Sequence, residues 1–340
     1  MLYIDYLQES GVFELPVNGA SGYASIAISL REGPSTDTNT ITTLNAGQGF
    51  TILEESDDWW QIEFDGKTGW VMHQYCLISL PDVIPSIIYD NSNAYSSKMK
   101  SSGREIPNIT EQALYQTYMY NERFDEKMYV MPVLYAMASK ISAAQQAALA
   151  EGNTLIIYEA FRPYDVQQKI VKNLSALVDT DPVVRAGLTK PPWSMGWFIS
   201  TGISNHQRGC AIDVSLGKII KQETKTTGSY AYKAISEYTE YPMPTEIHEL
   251  SAASVTFESP VSSKSATEWL GAKPSETMNS EALLLQKYST DAGLTPLASE
   301  WWHFEDLACL ELAKSSGSNG TYFIQKNYNI APFLSTKEPF

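Results

Sequence analysis

The stretch Ser204-Asn205-His206-Gln207-Arg208-Gly209-Cys210-Ala211-Ile212-Asp213 and the later Glu300-Trp301-Trp302-His303 together hold two histidines, an aspartate and a glutamate. A catalytic zinc ion takes three protein ligands of nitrogen or oxygen type and keeps a fourth position open. It also needs a base beside the water that attacks. His206, Asp213 and His303 can supply the ligands, and Glu300 the base. Only four histidines occur in the 340 residues, and two of them fall inside these motifs. That concentration says more than either motif alone. Taken singly, His206 could be a turn residue, Asp213 a buried aspartate bonded to backbone amides, and His303 a packed core histidine. Taken together, a carboxylate and imidazoles set beside Ile212, Val214, Trp301 and Trp302 are costly to bury unless something pairs them. A divalent cation would do so.

These residues need elements to carry them. Ala211 to Leu216 reads as a strand bearing Asp213. Glu300 and His303 are three apart, which places them on opposite faces of a regular strand. Either a turn or bulge near Trp301 or Trp302 brings both to one centre, or Glu300 sits just off the strand end. Upstream, Val133, Met137, Ile141 and Ala148 share a helical face, and Glu151-Gly152 can close that helix. Thr154 to Tyr158 is a short apolar strand running into Glu159-Ala160-Phe161-Arg162-Pro163, where Pro163 suits the first turn of a new helix. Val166, Ile170, Leu174 and Val178 give that helix its buried stripe. Glu281 to Tyr288 is helical and Gly293 ends it. The expected class is α+β, a small antiparallel sheet flanked by helices.

Residues 21–80 differ in character. Ser25 to Arg31 alternates polar and apolar as a half-buried strand does, and Phe50 to Leu53 and Trp59 to Phe64 read as further strands. Asp65-Gly66 is a hairpin turn before Lys67. Several short strands in about sixty residues predict a small all-β barrel. Ser79-Leu80-Pro81-Asp82-Val83-Ile84-Pro85 reads as a linker because of its two prolines. The resulting division is an N-terminal extension at 1–20, a barrel at 21–80, a linker at 81–86 and a catalytic domain at 87–340.

The formal charge of −15 disfavours nucleic acid and anionic membranes as partners, and no apolar run is long enough to span a membrane. Met1 to Ala20 contains Asp5, Glu9 and Glu14 and has no basic start, so it does not read as a signal peptide. Cys76, Cys210 and Cys309 are too few and scattered for a disulfide framework, and read as small buried hydrophobes.

Two resemblances follow from these motifs. Leu30-Arg31-Glu32-Gly33-Pro34-Ser35, Trp59-Trp60-Gln61-Ile62 and Gly66-Lys67-Thr68-Gly69-Trp70-Val71 together resemble the bacterial SH3-like domain. That likeness implies a module that docks on peptidoglycan; Trp59, Trp60 and Trp70 either form a groove there or, as is commoner for any single tryptophan, pack in the barrel core. The motif Glu159 to Pro163, the motif Ser204 to Asp213 and Glu300-Trp301-Trp302-His303-Phe304 fall in the order of the zinc D-alanyl-D-alanine dipeptidases and their carboxypeptidase relatives. This second resemblance implies one Zn²⁺ per chain on His206, Asp213 and His303, and Glu300 as the general base. It gives Arg162 the developing oxyanion, and Ser204 and Tyr89 contact with a substrate ending in D-Ala-D-Ala. It also implies action in the cell envelope or outside the cell.

One departure bears on specificity. Where the dipeptidases hold a substrate amine with an aspartate, this chain reads Met243-Pro244-Thr245-Glu246-Ile247-His248. An imidazole in that place favours carboxypeptidase-like cleavage of peptidoglycan stem peptides over a strict dipeptidase. His248 as an additional metal ligand is the less favoured reading. A catalytically silent wall-binding protein is a third alternative, opposed by the presence of both Glu300 and Arg162.

Overall fold

In a computed structural model, residues 3–324 and 326–334 are described. The N-terminal strands are β1 Ser21–Ala24, β2 Ile28–Arg31, β3 Thr40–Leu44, β4 Gly49–Ser56, β5 Trp59–Phe64, β6 Lys67–Met72 and β7 Cys76–Ser79. The β5–β6 hairpin turns at Asp65-Gly66, whose φ values of 51° and 71° suit the tight turn expected there. The middle of the chain adds β8 Ile88–Tyr89, β9 Lys100–Ser101, β10 Arg104–Glu105, β11 Tyr118–Asn121, β12 Glu126–Tyr129 and β13 Pro132–Leu134.

The barrel is not a separate bead. Strand β13 pairs antiparallel with β7 and extends the barrel sheet to the order β13-β7-β1-β4-β5-β6-β2-β3. The Trp60 ring, fully buried, meets Tyr135 of the helix Tyr135–Ala150 at 4.6 Å. One continuous hydrophobic core runs from Phe13 through the barrel to Ala313. Of the two readings of the tryptophans, burial favours the core: Trp59, Trp60 and Trp70 are all buried and form no open groove. One expectation is corrected here. The segment expected to be a linker holds a short helix, Leu80–Val83, with Pro81 in its first turn and all four residues buried. Proline is tolerated there because the first amides of a helix have no intrahelical partner.

The site rests on a second sheet, formed by β14 Asn153–Glu159, β15 Ala211–Thr227, β16 Tyr230–Glu240, β17 Thr295–Leu297 and β18 Glu300–Glu305. Its order is β17-β18-β15-β14-β8, with β16 pairing the outer half of β15. All pairings are antiparallel except β14 with β8. The helix Tyr164–Thr180 buries Val166, Ile170 and Leu174 as the stripe predicts, with Val178 half-buried. Val133 lies on β13, just ahead of its expected helix. The molecule is thus a barrel followed by mixed helix and sheet.

Candidate active site and metal centre

Register brings the motifs together. Asp213 on β15 pairs with His303 on β18 and with Glu159 on β14, so three site residues lie side by side across the sheet. The expected irregularity in β18 is present: Pro296 pairs with Phe304 while the next residue, Leu297, pairs with Glu300. The extra β18 residues between them let Glu300, at the strand start, and His303 face one centre. His206 opens a 3₁₀ turn, His206–Arg208, that ends at Gly209 with φ of 68°. A Cβ on Gly209 would meet Leu77 Cδ2 at 2.4 Å, and its carbonyl accepts from Leu134 N at 2.8 Å. Barrel and ligand loop are therefore joined at this glycine.

His206 Nε2, His303 Nδ1 and Asp213 Oδ1 form a triangle with edges of 3.2, 3.0 and 3.3 Å. The far nitrogens are engaged: His206 Nδ1 donates to the Ala160 carbonyl at 2.7 Å, and His303 Nε2 faces Glu305 Oε1 at 3.2 Å. The inward nitrogens of the two imidazoles and a carboxylate oxygen thus converge on one point, where a cation would take the place of the protons that His206 and His303 share with Asp213. Tetrahedral ligands at about 2.0–2.1 Å would stand about 3.3 Å apart, which the triangle matches. All three residues are buried, and the residues present fit a zinc ion.

The charges agree with that fit. Burial pushes the Asp213 carboxyl up, but His206 and the hydrogen bonds from His206, His248 and His303 outweigh it and hold it well below the usual range. Burial opposes charge on His303 too, yet Asp213 and Glu305 push it up to about 10. The cage draws positive charge to itself. Glu300 Oε2 lies 3.8 Å from His303 Nδ1. Burial pushes its carboxyl up to about 8, against His303 and Arg162.

Arg162 is buried, and Glu159 keeps its guanidinium charged against the cost of burial. Its Nε donates to Glu159 Oε2 at 2.7 Å, its Nη1 to Gln167 Oε1 at 2.7 Å, and its Nη2 to Glu159 and, at 3.3 Å, to Asp213 Oδ2. Four of the five guanidinium N–H groups are thus used, leaving one on Nη1. Glu159, Asp213 and His248 also converge as a second set of donor atoms, but the guanidinium already places its charge between the two carboxylates.

A pocket of about 370 Å³ opens onto this centre. His206, Asp213, His303, Glu300, Arg162 and Ser204 all line it, as do His248 and Glu305. Ser204 Oγ accepts from His206 N at 3.3 Å. Tyr89 is a correction: its hydroxyl donates to the Ile84 carbonyl at 2.9 Å, and the residue lines a different groove with Tyr118 and Tyr232. It does not reach this pocket. Sequence reasoning gave no role to Glu305 or Glu159. Glu305 lies two residues beyond His303 on one strand, a spacing that shares a face. Glu159 sits three residues before Arg162, and also accepts from Asn93 and Tyr115 at 2.9 and 2.8 Å.

Among the described residues, His206, Asp213 and His303 are thus one of two groups whose donor atoms lie close enough together to hold a metal ion, carried by and beside the central strands of the sheet. Residues 133–241 match the D-alanyl-D-alanine carboxypeptidase family, and residues 27–77 match the bacterial SH3 domain. These two matches show the architecture to be a bacterial SH3 domain ahead of a D-alanyl-D-alanine carboxypeptidase domain. The carboxypeptidase match takes in Arg162, His206 and Asp213 and ends before His248, Glu300 and His303. No curated protein matches the chain. Among solved structures, one titled for a novel NlpC/P60 endopeptidase from Photobacterium damselae subsp. piscicida is similar at 9% identity. It covers 71% of this chain and 70% of that one with a TM-score of 0.17, a likeness that carries no argument.

Proposed function

We propose that the chain is a zinc-dependent D,D-peptidase that removes the terminal D-alanine from peptidoglycan stem peptides. The observation that carries this reading is the close triangle of His206, Asp213 and His303 atoms lining the pocket. When bound there, zinc supplies Lewis acidity toward a peptide carbonyl and makes hydroxide accessible near neutral pH. Ala160 and Glu305 engage the outward nitrogens of the two imidazoles, so that the inward nitrogens would be the ones to lose their protons to a bound metal. Glu300, 3.8 Å from His303, takes the proton of the attacking water and passes it to the leaving amine. Arg162 offers its remaining Nη1–H to the carbonyl oxygen as negative charge develops, and Ser204 keeps its own O–H to donate to substrate.

A stem peptide is favoured over free dipeptide by what surrounds His248. Its Nε2 faces Asp213 Oδ2 at 3.1 Å. Glu246 pairs with Lys100 at 3.0 Å, and the Glu249 carboxylate accepts from the backbone amides of Ser102 and Gly103. Neither glutamate lines the pocket, so this segment gives no carboxylate to a substrate ammonium. The SH3 domain fits the same reading, as the part that keeps the enzyme on a polymeric substrate through effective concentration, although its three tryptophans do not make that contact. Action on peptidoglycan places the protein in the cell envelope or outside the cell. Among the described residues, no helix is long and apolar enough to cross a membrane.

The test offers zinc-loaded protein free D-Ala-D-Ala or a stem pentapeptide and reads products by mass spectrometry. Release of one D-alanine from the pentapeptide is expected. Cleavage of the dipeptide alone would establish the dipeptidase reading instead, and turnover of neither with zinc bound would favour a silent wall binder.

A further inference from the structure

We propose that His248 is a positioning residue that restricts Asp213 to one metal-facing oxygen and so keeps a coordination position open for the reaction. The inference rests on the zinc-peptidase reading and extends it to a residue that supplies no ligand. The two oxygens of Asp213 have different surroundings. Oδ1 faces the inward nitrogens of His206 and His303 at 3.3 and 3.0 Å. Oδ2 is turned the other way, toward His248 Nε2 at 3.1 Å and Arg162 Nη2 at 3.3 Å. A carboxylate free to rotate could give both oxygens to one cation, and the second would take the position that water or substrate needs. Two donors on Oδ2 oppose that rotation. Arg162 alone is the weaker restraint, since its contact is the longer and the same nitrogen also serves Glu159.

The backbone of this residue is fixed by its surroundings. His248 has φ of 63°, in the left-handed region that a residue with a Cβ rarely occupies. Such a conformation persists only where its surroundings over-determine it. Here Lys100 N donates to the His248 carbonyl at 3.2 Å, Leu250 N donates to the Lys100 carbonyl at 2.8 Å, and Glu249 takes the amides of Ser102 and Gly103. The ring sits between Tyr158 and Trp302, with centroids 6.5 and 6.1 Å away. It is 1% exposed, and its Nδ1 is buried without a partner. A buried ring nitrogen left unpaired is costly. The arrangement is accounted for if the other nitrogen is the one that matters, donating to Asp213.

The test compares wild type, His248→Leu and His248→Gln, each loaded with Zn²⁺ for turnover and Co²⁺ for the visible spectrum. Glutamine keeps an N–H donor and leucine does not. His248→Leu should bind metal but lose about 10- to 100-fold in kcat, the range for groups that orient ligands, with KM little changed. Its Co²⁺ absorption should weaken, as it does when coordination number rises. His248→Gln should recover most of both. Should leucine not yield folded protein, His248→Phe, a ring without a donor, takes its place. A wild-type spectrum and kcat in His248→Leu would overturn the proposal. So would loss of metal and thermal stability in step, with an unchanged spectrum in the protein that still binds. Failure of wild type itself to bind either metal would sink the zinc reading beneath it, a separate result.

Discussion

Asp82 and Asp213 are both buried aspartates, and their surroundings are opposite in kind. Asp82, in the short helix after the barrel, is met by donors alone: Ser21 N at 2.8 Å, Asn121 Nδ2 at 2.9 Å and Asn329 Nδ2 at 2.8 Å. These partners come from the barrel, a distant hairpin and the C-terminal segment, so one carboxylate ties three parts of the chain together. Asp213 turns Oδ2 toward Arg162 and His248, and Oδ1 toward the inward nitrogens of His206 and His303, the atoms that would bind a metal with it. Burial pushes the Asp82 carboxyl up, whereas the histidines around Asp213 hold its carboxyl down. A structural polar group is recognised by complete satisfaction, and a functional one by the atom left facing a charge that its neighbours do not supply.

The strongest way to sharpen this contrast is within the active pocket. Glu300→Gln should retain the metal and lose about 10²- to 10⁴-fold in turnover, read by metal analysis beside steady-state kinetics. Loss of metal in this variant would move Glu300 into the ligand set. Next in size, Asp82→Ala leaves three buried donors without an acceptor at about 1–3 kcal/mol each. It should cost at least about 3 kcal/mol in urea unfolding while metal content stays at the wild-type level. Metal loss there would break the distinction between the two aspartates.

The smallest effect is in the pH dependence of stability, measured on metal-free protein. Asp213 has a depressed folded pKa, so its stabilisation is present above its unfolded value of about 3.9 and is lost as pH falls through the folded value. Asp82 has a raised folded pKa, so the folded state holds the proton longer, and stability declines as pH rises from about 3.9 through that raised value. Asp213→Asn should remove the acid-side loss and Asp82→Asn the decline, each by about 1.4 kcal/mol per pKa unit. Slopes changing in the same sense in both variants would contradict the assignment.

What the sequence could and could not reveal follows from the range of the forces involved. The Asp65-Gly66 hairpin, the stripe of Val166, Ile170 and Leu174, and the ligand motifs are local patterns, and the structure has each of them. The sequence showed that Glu300 and His303 could meet only through a bulge or with Glu300 off the strand end, and the register shift opposite Pro296 and Leu297 decides for the irregularity. The choice between groove and core for the tryptophans stayed open because whether an aromatic ring on a barrel is exposed depends on what packs over it, here Tyr135 over Trp60. Tyr89 was misread because nothing local shows that its hydroxyl would find the Ile84 carbonyl. Strand β15 runs on to Thr227 because β16 pairs with its polar outer half, where little burial pattern marks a strand. The carbonyl of Ala160, which orients His206, is a main-chain atom and has no signature in residue type.

The zinc content of wild type and His206→Ala, determined after dialysis against a weak chelator, bears most directly on the whole account. One equivalent per chain in wild type and a background level in the variant is the expected result. Equal content in the two proteins would mean that the triangle of His206, Asp213 and His303 does not hold the metal.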